Sequence, residues 1–242
     1  MNFAIIVASA RARSGKTLLS RLLAEHFILS GQQPVIFETD VTAAPLAARF
    51  PNDAITLDID RVTHQMALFD GISKPGPEAR ILDLSNISSK KFFDLMVESD
   101  FVGEARANEL QPIVLYIAGP EHDDLDHANK VRRDIGNCPF VLVENGVLGE
   151  IKQSTFDSDA FRSLADLQFR MLIPALDPFF MEVLDEPDVS IAEFMREPTL
   201  TMAPETRAAI RSWLVRAFAE IYRVISAAGA IEHRRRPPPR RL

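Results

Sequence analysis

The sequence contains very little cysteine and no long apolar run. Cys138 is the single cysteine among 242 residues, so the chain cannot form an internal disulfide or a cysteine zinc cluster, and it fits a reducing cytoplasm. No apolar stretch reaches the roughly 18 residues that a membrane span requires, and no signal peptide precedes the first apolar run. We therefore expect a cytoplasmic protein without a transmembrane segment.

Charge is distributed unevenly along the chain. The formal net charge is −7, from 27 Lys and Arg against 34 Asp and Glu. Residues 234–242 contain five arginines and no acidic residue, so they contribute +5. Residues 1–233 therefore carry a net charge of −7 − 5 = −12. The three prolines at this end favour an extended arm, which could contact the phosphates of DNA or of anionic lipid without reading sequence. The alternative is a solvated end that only offsets an acidic body.

A phosphate-binding motif follows the first apolar run. Residues 3–8 (FAIIVA) predict a strand buried on both faces. Apolar residues at helical spacing from Leu18 to Phe27 predict an amphipathic helix, with Ser20 and other polar residues on its second face. Between strand and helix, residues 10–17 (ARARSGKT) have the form GxxxxGK(S/T) with alanine at the first glycine.

This order of strand, loop and helix suits a polyphosphate. The backbone N–H groups of the loop and the helix N-terminus could surround the phosphates. Lys16 would then reach the β- and γ-phosphates, Thr17 would contact Mg²⁺, and Gly15 would let the backbone approach the phosphates closely. The alternative is an ordinary strand–turn–helix with a chance GKT.

Acidic residues close two of the later strands. Glu38 and Asp40 follow the second apolar run, and Asp83 ends the run at residues 79–84. Carboxylates at the carboxyl ends of strands, beside a phosphate loop, are where a Mg²⁺ site or a water-activating base is built. Asp83 matches the Walker B position. For Glu38 and Asp40 considered alone, an acidic solvated turn is the alternative.

Strands and helices alternate along the sequence. Strands are predicted at residues 3–8, 34–37, 54–59, 79–84, 112–117, 139–144 and 169–173, and helices from the loop to about residue 30 and at 62–69, 89–98, 179–184, 191–196 and 204–227. The acids and histidines between His122 and His127 indicate the charged N-terminus of a further helix, with a metal site as the alternative. This alternation predicts a three-layer α/β fold, with a mostly parallel sheet and helices on both faces. Without a linker before residue 228, we expect one domain at 1–228 and a disordered Pro/Arg-rich tail at 229–242.

Five motifs together resemble the ParA/MinD group of the SIMIBI P-loop ATPases. They are the loop ARARSGKT, ETD at 38–40, ILDLS at 81–85, VENG at 143–146 and LIPALDPFFMEVLDEPDVSIAEF at 172–194, in that order. The similarity spans residues 3–226. It implies a P-loop NTPase fold, binding of ATP or ADP and Mg²⁺, slow hydrolysis and dimerisation across bound ATP. Members of this deviant Walker A group position plasmids, chromosomes and division sites together with a partner protein.

The resemblance also assigns roles to individual residues. It implies nucleotide contacts for the loop residues Ala12, Arg13, Ser14, Gly15, Lys16, Thr17 and Leu18, for Asn145 at the adenine, and for Pro174 near the base. Thr17, Asp83 and Glu38 correspond to the Mg²⁺ site. Asp40 corresponds to the acid that positions the attacking water. Lys16 and Asp40 would thus act in catalysis, together with Arg11 at the position of the signature lysine that reaches the partner's phosphates.

Four positions depart from the family pattern. Arg11 replaces the signature lysine, although an arginine keeps the charge and could bridge phosphate oxygens. Ala12 and Arg13 replace two glycines, and their side chains crowd a surface where two loops meet in the family dimer. The usual proline after Asp83 is Leu84. The departures leave open two alternatives to a switch ATPase, namely an ATP-dependent enzyme of the dethiobiotin synthetase-like branch and a nucleotide-binding module that does not hydrolyse.

Overall fold

The computed structural model describes residues 2–76, 78–149, 155, 157–165, 170–186, 189–196 and 202–235. In these ranges the chain forms a seven-stranded sheet. The strands are β1 (Asn2–Ala8), β2 (Val35–Glu38), β3 (Ala54–Thr56), β4 (Arg80–Asp83), β5 (Leu110–Ala118), β6 (Phe140–Asn145) and β7 (Arg170–Ile173). Their order in the sheet is β3-β2-β4-β1-β5-β6-β7. Every pairing is parallel, so the carboxyl ends of all strands lie at one edge.

Helices cover both faces of the sheet. They are α1 (Lys16–Leu29), α2 (Pro45–Arg49), α3 (Val62–Ser73), α4 (Ser89–Glu98), α5 (Phe101–Ala107), α6 (His122–Asp134), α7 (Asp159–Ala165), α8 (Pro178–Asp185), α9 (Ile191–Arg196) and α10 (Pro204–Arg235), with one 3₁₀ turn at Gly146–Leu148. Within the described ranges, none of these helices combines the length and the apolarity needed to cross a membrane.

The central strand β1 divides the apolar interior into two cores. Ile5 and Val7 face one core, which contains apolar residues of α1 and α10. Ala4 and Ile6 face the other core, which contains apolar residues of α3, α4, α5 and α6. Because successive side chains of a strand point to opposite faces, an unbroken apolar run is needed to fill both cores. The predicted three-layer α/β fold is confirmed.

Within the described part of the chain, three short helices were not predicted from the sequence. They are α2, α5 and α7, of five, seven and seven residues. Helices of this length are too short for a clear apolar periodicity. Conversely, β3 ends at Thr56, three residues earlier than predicted, because residues 57–60 leave the sheet and turn before α3.

The polar face of α1 is buried, contrary to its predicted pattern. Ser20, Arg21 and Glu25 are at most 3% exposed. Arg21 donates hydrogen bonds to the carbonyl oxygens of Leu184 and Val189, both at 2.7 Å. Glu25 accepts from the first backbone N–H groups of α9, at 3.2 and 2.8 Å. The polar residues of α1 therefore hold the chain between α8 and α9.

The last helix extends beyond the predicted domain boundary. We placed the end of the domain at residue 228, whereas α10 continues to Arg235. The sequence contains no proline between Pro204 and Pro237, and alanine-rich residues 227–230 favour a helix. Residues 236–242 lie outside the described residues, so the role of a basic tail there stays a prediction.

Candidate nucleotide-binding site

The phosphate-loop motif lies at the carboxyl edge of the sheet, between β1 and α1. Gly15 adopts a φ of +94°, and a Cβ at this position would lie only 2.4 Å from the Asn145 side-chain nitrogen. That amide donates a hydrogen bond of 2.9 Å to the carbonyl oxygen of Ser14. Glycine is therefore required at residue 15 both for its backbone conformation and for the approach of Asn145.

Lys16 folds back over the loop. Its ammonium donates to the carbonyl oxygen of Arg11 at 2.9 Å and to the Ser14 hydroxyl at 3.4 Å. Burial lowers the pKa of Lys16, and the negative charges of Asp83 and Asp40 partly oppose that shift. The ammonium is thus held at the loop by weak neutral partners, which an anionic phosphate oxygen would replace favourably.

Thr17 and Asp83 meet at the start of α1. The Thr17 hydroxyl donates to Asp83 Oδ2 at 2.8 Å, and the Ser20 hydroxyl donates to Oδ1 at 3.2 Å. Asp83 is 6% exposed, and its burial raises its pKa to about 6 against the effect of both hydroxyls and of Lys16. A buried carboxylate beside a hydroxyl supplies hard oxygen ligands, which suit Mg²⁺. Thr17 and Asp83 therefore provide oxygen ligands that fit Mg²⁺.

Glu38 ends β2 and is paired in register with Asp83 at the end of β4. Its carboxylate accepts hydrogen bonds from the backbone N–H groups of Leu46 and Ala47, at 3.1 and 2.8 Å, and from the Thr56 hydroxyl at 3.2 Å. Both oxygens are engaged at the N-terminus of α2, where a negative charge stabilises the helix. Glu38 therefore lies beside Asp83 with its oxygens already engaged, and its role as a Mg²⁺ ligand stays a prediction. The sequence pattern could not show the contact with α2 because α2 was not predicted.

Asp40 lies in the loop after β2. Its Oδ1 accepts from the backbone N–H groups of Thr42 and Ala43, both at 3.1 Å. Because Asp40 follows the carboxyl end of β2, it lies at the same sheet edge as the phosphate loop, and its charge opposes the lowering of the Lys16 pKa. Asp40 Oδ1 therefore stabilises the turn at residues 40–43.

Arg11 forms an ion pair within the chain. Its Nη1 lies 2.8 Å from Asp124 Oδ2, with the two side chains 44% and 13% exposed. The pairing raises the pKa of Arg11. Asp124 belongs to the first turn of α6, which confirms that this acidic cluster opens a helix. In the part of the chain that the structure describes, no group of three His, Cys, Asp or Glu side chains could hold a metal ion by itself.

The two residues at the family glycine positions are exposed. Arg13 has a φ of +55°, in the left-handed region where a side chain costs about 1–2 kcal/mol. Ala12 lies beside it. The loop therefore retains a glycine-like backbone at residue 13 but carries a long cationic side chain on its outer surface.

The ends of β6 and β7 close the other side of the loop. Asn145 ends β6, and its Oδ1 also accepts from the backbone of Val147 at 3.2 Å. Pro174 follows β7, and its carbonyl oxygen accepts a 2.7 Å hydrogen bond from Trp213 of α10. Leu18 is half-buried at the start of α1. The predicted base-side residues are thus placed at the same sheet edge as the loop.

Three residues near the loop were not predicted to take part. Ser20 lies one helical turn after Thr17, and this spacing could have indicated it. Asp124 gave no such signal because it contacts Arg11 across 113 residues of sequence. The Tyr116 hydroxyl lies 2.5 Å from His127 Nδ1. Asp124 therefore connects the loop to α6, and Tyr116 connects β5 to the same helix.

Comparison with solved structures identifies the fold. The septum site-determining protein MinD complexed with Mg-ADP from Pyrococcus horikoshii OT3 matches with a TM-score of 0.55 at 14% identity, over 94% of this chain and 99% of that chain. The MinD cell division protein of Aquifex aeolicus matches with a TM-score of 0.50 at 12% identity, over 89% and 96%. No protein-family model and no curated protein matches the sequence. The all-parallel sheet and these two likenesses show that the chain has the ParA/MinD-like fold of the P-loop ATPases.

Proposed function

We propose that this protein is a nucleotide-dependent switch that binds ATP with Mg²⁺, hydrolyses it slowly and dimerises in the ATP state. The observation that carries the proposal is the Thr17–Asp83 hydrogen bond of 2.8 Å, beside a loop over which Lys16 is already folded. This arrangement lies on a ParA/MinD-like fold. It supplies backbone donors, a cation and hard oxygen ligands at one place.

Binding would use the residues of the loop directly. Lys16 would exchange its carbonyl and hydroxyl partners for phosphate oxygens, gaining charge-assisted hydrogen bonds. Thr17 and Asp83 would hold Mg²⁺, which supplies charge neutralisation of the phosphates when bound. Asn145 would keep the Ser14 carbonyl oriented away from the phosphates, because it already donates to that oxygen.

Hydrolysis would depend on Asp40. We propose that its carboxylate orients the attacking water, as a positioned acceptor does in phosphoryl transfer. Since Oδ1 already accepts two backbone hydrogen bonds, the second oxygen would carry this role. A side chain that shapes its own turn and also orients water is consistent with slow turnover.

Dimerisation would bury the carboxyl edge of the sheet. Exposed apolar side chains follow the carboxyl ends of four strands within a few residues: Val41, Ile87, Val147 and Phe179, which are 53–86% exposed. Apolar residues on the same surface as the loop are typical of a protein interface. Arg11 would leave Asp124 and reach the phosphates bound by a second copy.

The cellular role that fits such a switch is cytoplasmic positioning or partitioning of a cargo such as a plasmid, together with a protein partner. The basic end adds a proposed contact with DNA, since arginines bind phosphates without regard to sequence. Arg236, Arg240 and Arg241 of this end lie outside the described residues, and the proposal for them rests on their charge alone.

A second candidate is a nucleotide-binding module that neither dimerises nor hydrolyses. The ion pair between Arg11 and Asp124 favours it, because an arginine engaged within its own chain is withheld from a partner. The side chain of Arg13 on the outer loop surface also favours this second candidate, because it would crowd the surface where two loops would meet in a dimer.

Sedimentation with Mg²⁺ and a slowly hydrolysed ATP analogue separates the two candidates. The switch predicts a dimer with the analogue and a monomer with ADP. Arg11→Ala should abolish the dimer while leaving analogue affinity nearly unchanged, and Asp124→Asn should strengthen the dimer because it releases Arg11. A wild-type protein that binds the analogue and remains monomeric would favour the second candidate.

A further inference from the structure

A cavity lies between the edge of the sheet and α3, away from the phosphate loop. Its volume is about 470 Å³, within the roughly 300–1,000 Å³ of small-molecule sites. One wall is apolar and is formed by Val35 and Phe37 of β2, Ile55 of β3 and Leu57 just after β3. Ala67 and Gly71 of α3 form the opposite wall. The cavity therefore offers an apolar slot for a ligand body.

A buried cation lies at one end of this slot. Arg80, the first residue of β4, lines the cavity and is only 3% exposed. Its Nη1 donates to the carbonyl oxygen of Glu78 at 2.7 Å. The carboxylate of Glu78 is 3.7 Å from Nη2, beyond hydrogen-bond distance, and its side chain is 42% exposed. Among the residues that the structure describes, Glu78 is thus a loosely placed counterion for a buried guanidinium.

Such an arrangement is costly without a better anionic partner. Removing a guanidinium from water is compensated only by close, well-oriented acceptors. Burial accordingly lowers the pKa of Arg80, and the nearby Glu78 only partly opposes that shift. Lys74, exposed at the rim of the same cavity, adds a second positive charge. Both cations favour an anionic ligand.

We propose that this cavity binds a small carboxylate with an apolar body. The carboxylate pairs with Arg80, for which planar bidentate recognition is the favoured geometry, and Glu78 turns out to solvent. The apolar body packs against Phe37 and Leu57. This inference goes beyond the proposed switch function and does not depend on it.

The cavity and the nucleotide site share two strands without sharing residues. Arg80 begins β4 and Asp83 ends it, a separation of about 10 Å along the strand. Val35 begins β2, while Glu38 ends it. Occupation of the cavity therefore leaves the phosphate loop free, and ATP should not displace the ligand.

Octanoate is a suitable probe ligand, and octan-1-ol is the uncharged control ligand with the same chain length. Calorimetry on the full chain should show saturable 1:1 octanoate binding, at least about tenfold tighter than octan-1-ol, because a charge-assisted hydrogen bond is lost with the alcohol. Arg80→Met should remove this preference. Glu78→Gln should tighten octanoate binding, since it removes the competing carboxylate. Excess Mg-ATP should leave the octanoate affinity unchanged.

Two substitutions on α3 test the location without changing a buried residue. Ala67 is exposed and lines the cavity, so Ala67→Phe should block octanoate binding while the fold is retained. Met66 is exposed and is not among the lining residues, so Met66→Phe is the matched control and should bind as the wild type does. Equal affinity of octanoate and octan-1-ol, no saturable binding to the wild type, or full binding by Ala67→Phe would overturn the proposal. If Arg80→Met does not fold, Ala67→Phe and Glu78→Gln decide it.

Discussion

Replacement of Asp83 by asparagine should change how stability depends on pH. Burial raises the pKa of Asp83 to about 6, from an ordinary value of 3.8. Between these values the folded protein holds the proton while the unfolded chain has lost it. The folded state binds more protons, so its stability falls as pH rises through this window. The ionised, buried carboxylate thus destabilises the protein above pH ~6 when no cation is bound.

The size of the effect follows from the two pKa values. Linkage gives about 2 kcal/mol of stability lost by the wild type between pH ~4.5 and ~7.5 through this group. Asp83→Asn removes that loss because an amide does not titrate. The amide offers a single oxygen to the hydroxyls of Thr17 and Ser20, which costs about 1 kcal/mol at every pH. The pH-dependent part of the difference is therefore the quantity to measure.

Urea unfolding without nucleotide or Mg²⁺ supplies the measurement. The stability of Asp83→Asn relative to the wild type should increase by about 2 kcal/mol from pH ~4.5 to ~7.5. Asp70→Asn is a suitable control, because Asp70 is exposed on α3, and its stability difference at the two pH values serves as the baseline. A pH-independent difference for Asp83→Asn would refute the proposed burial of an unfavourable charge at the metal site.

Two further results are expected. Asp40→Ala should retain ATP affinity and lose hydrolysis, because the carboxylate is proposed to orient water. Calorimetry measures the affinity and phosphate release measures the hydrolysis. Unchanged hydrolysis would remove Asp40 from the mechanism. Removal of residues 236–242 deletes three arginines, so it should weaken binding to random duplex DNA and reduce the slope of log affinity against log salt concentration by about 3. Fluorescence anisotropy titrations at several salt concentrations test this expectation. Equal DNA binding by the full and the shortened chain would leave the tail without this role.

Local sequence patterns were sufficient to predict the fold class and to bring Lys16, Thr17 and Asp83 to one edge of the sheet. An apolar strand, a GKT and an amphipathic helix are adjacent in sequence, so Lys16 and Thr17 are fixed by short-range geometry. Asp83 ends an apolar strand, and parallel strands end at one edge of the sheet. Each of these placements depends on one element and its direction, which the sequence pattern indicates.

The roles that could not be predicted depend on contacts between distant segments. Glu38 accepts hydrogen bonds at the N-terminus of α2, a helix of only five residues that the sequence pattern did not indicate. Arg11 contacts Asp124 across 113 residues of sequence. Glu25 is polar, yet it is buried because α9 covers it. Periodicity predicts which face of a helix is apolar, but it cannot show that another segment will satisfy the polar face.

Calorimetric titration with Mg-ATP of the wild type and of Lys16→Ala tests the central claim most directly. Lys16 makes its hydrogen bonds within the loop, so its removal should leave the urea midpoint nearly unchanged. Lys90→Ala is the matched control, since Lys90 is 77% exposed on α4. We predict that Lys16→Ala weakens Mg-ATP binding by about 1.5–3 kcal/mol and that Lys90→Ala does not change it. Equal Mg-ATP affinity in the wild type and Lys16→Ala would contradict a nucleotide site at this loop.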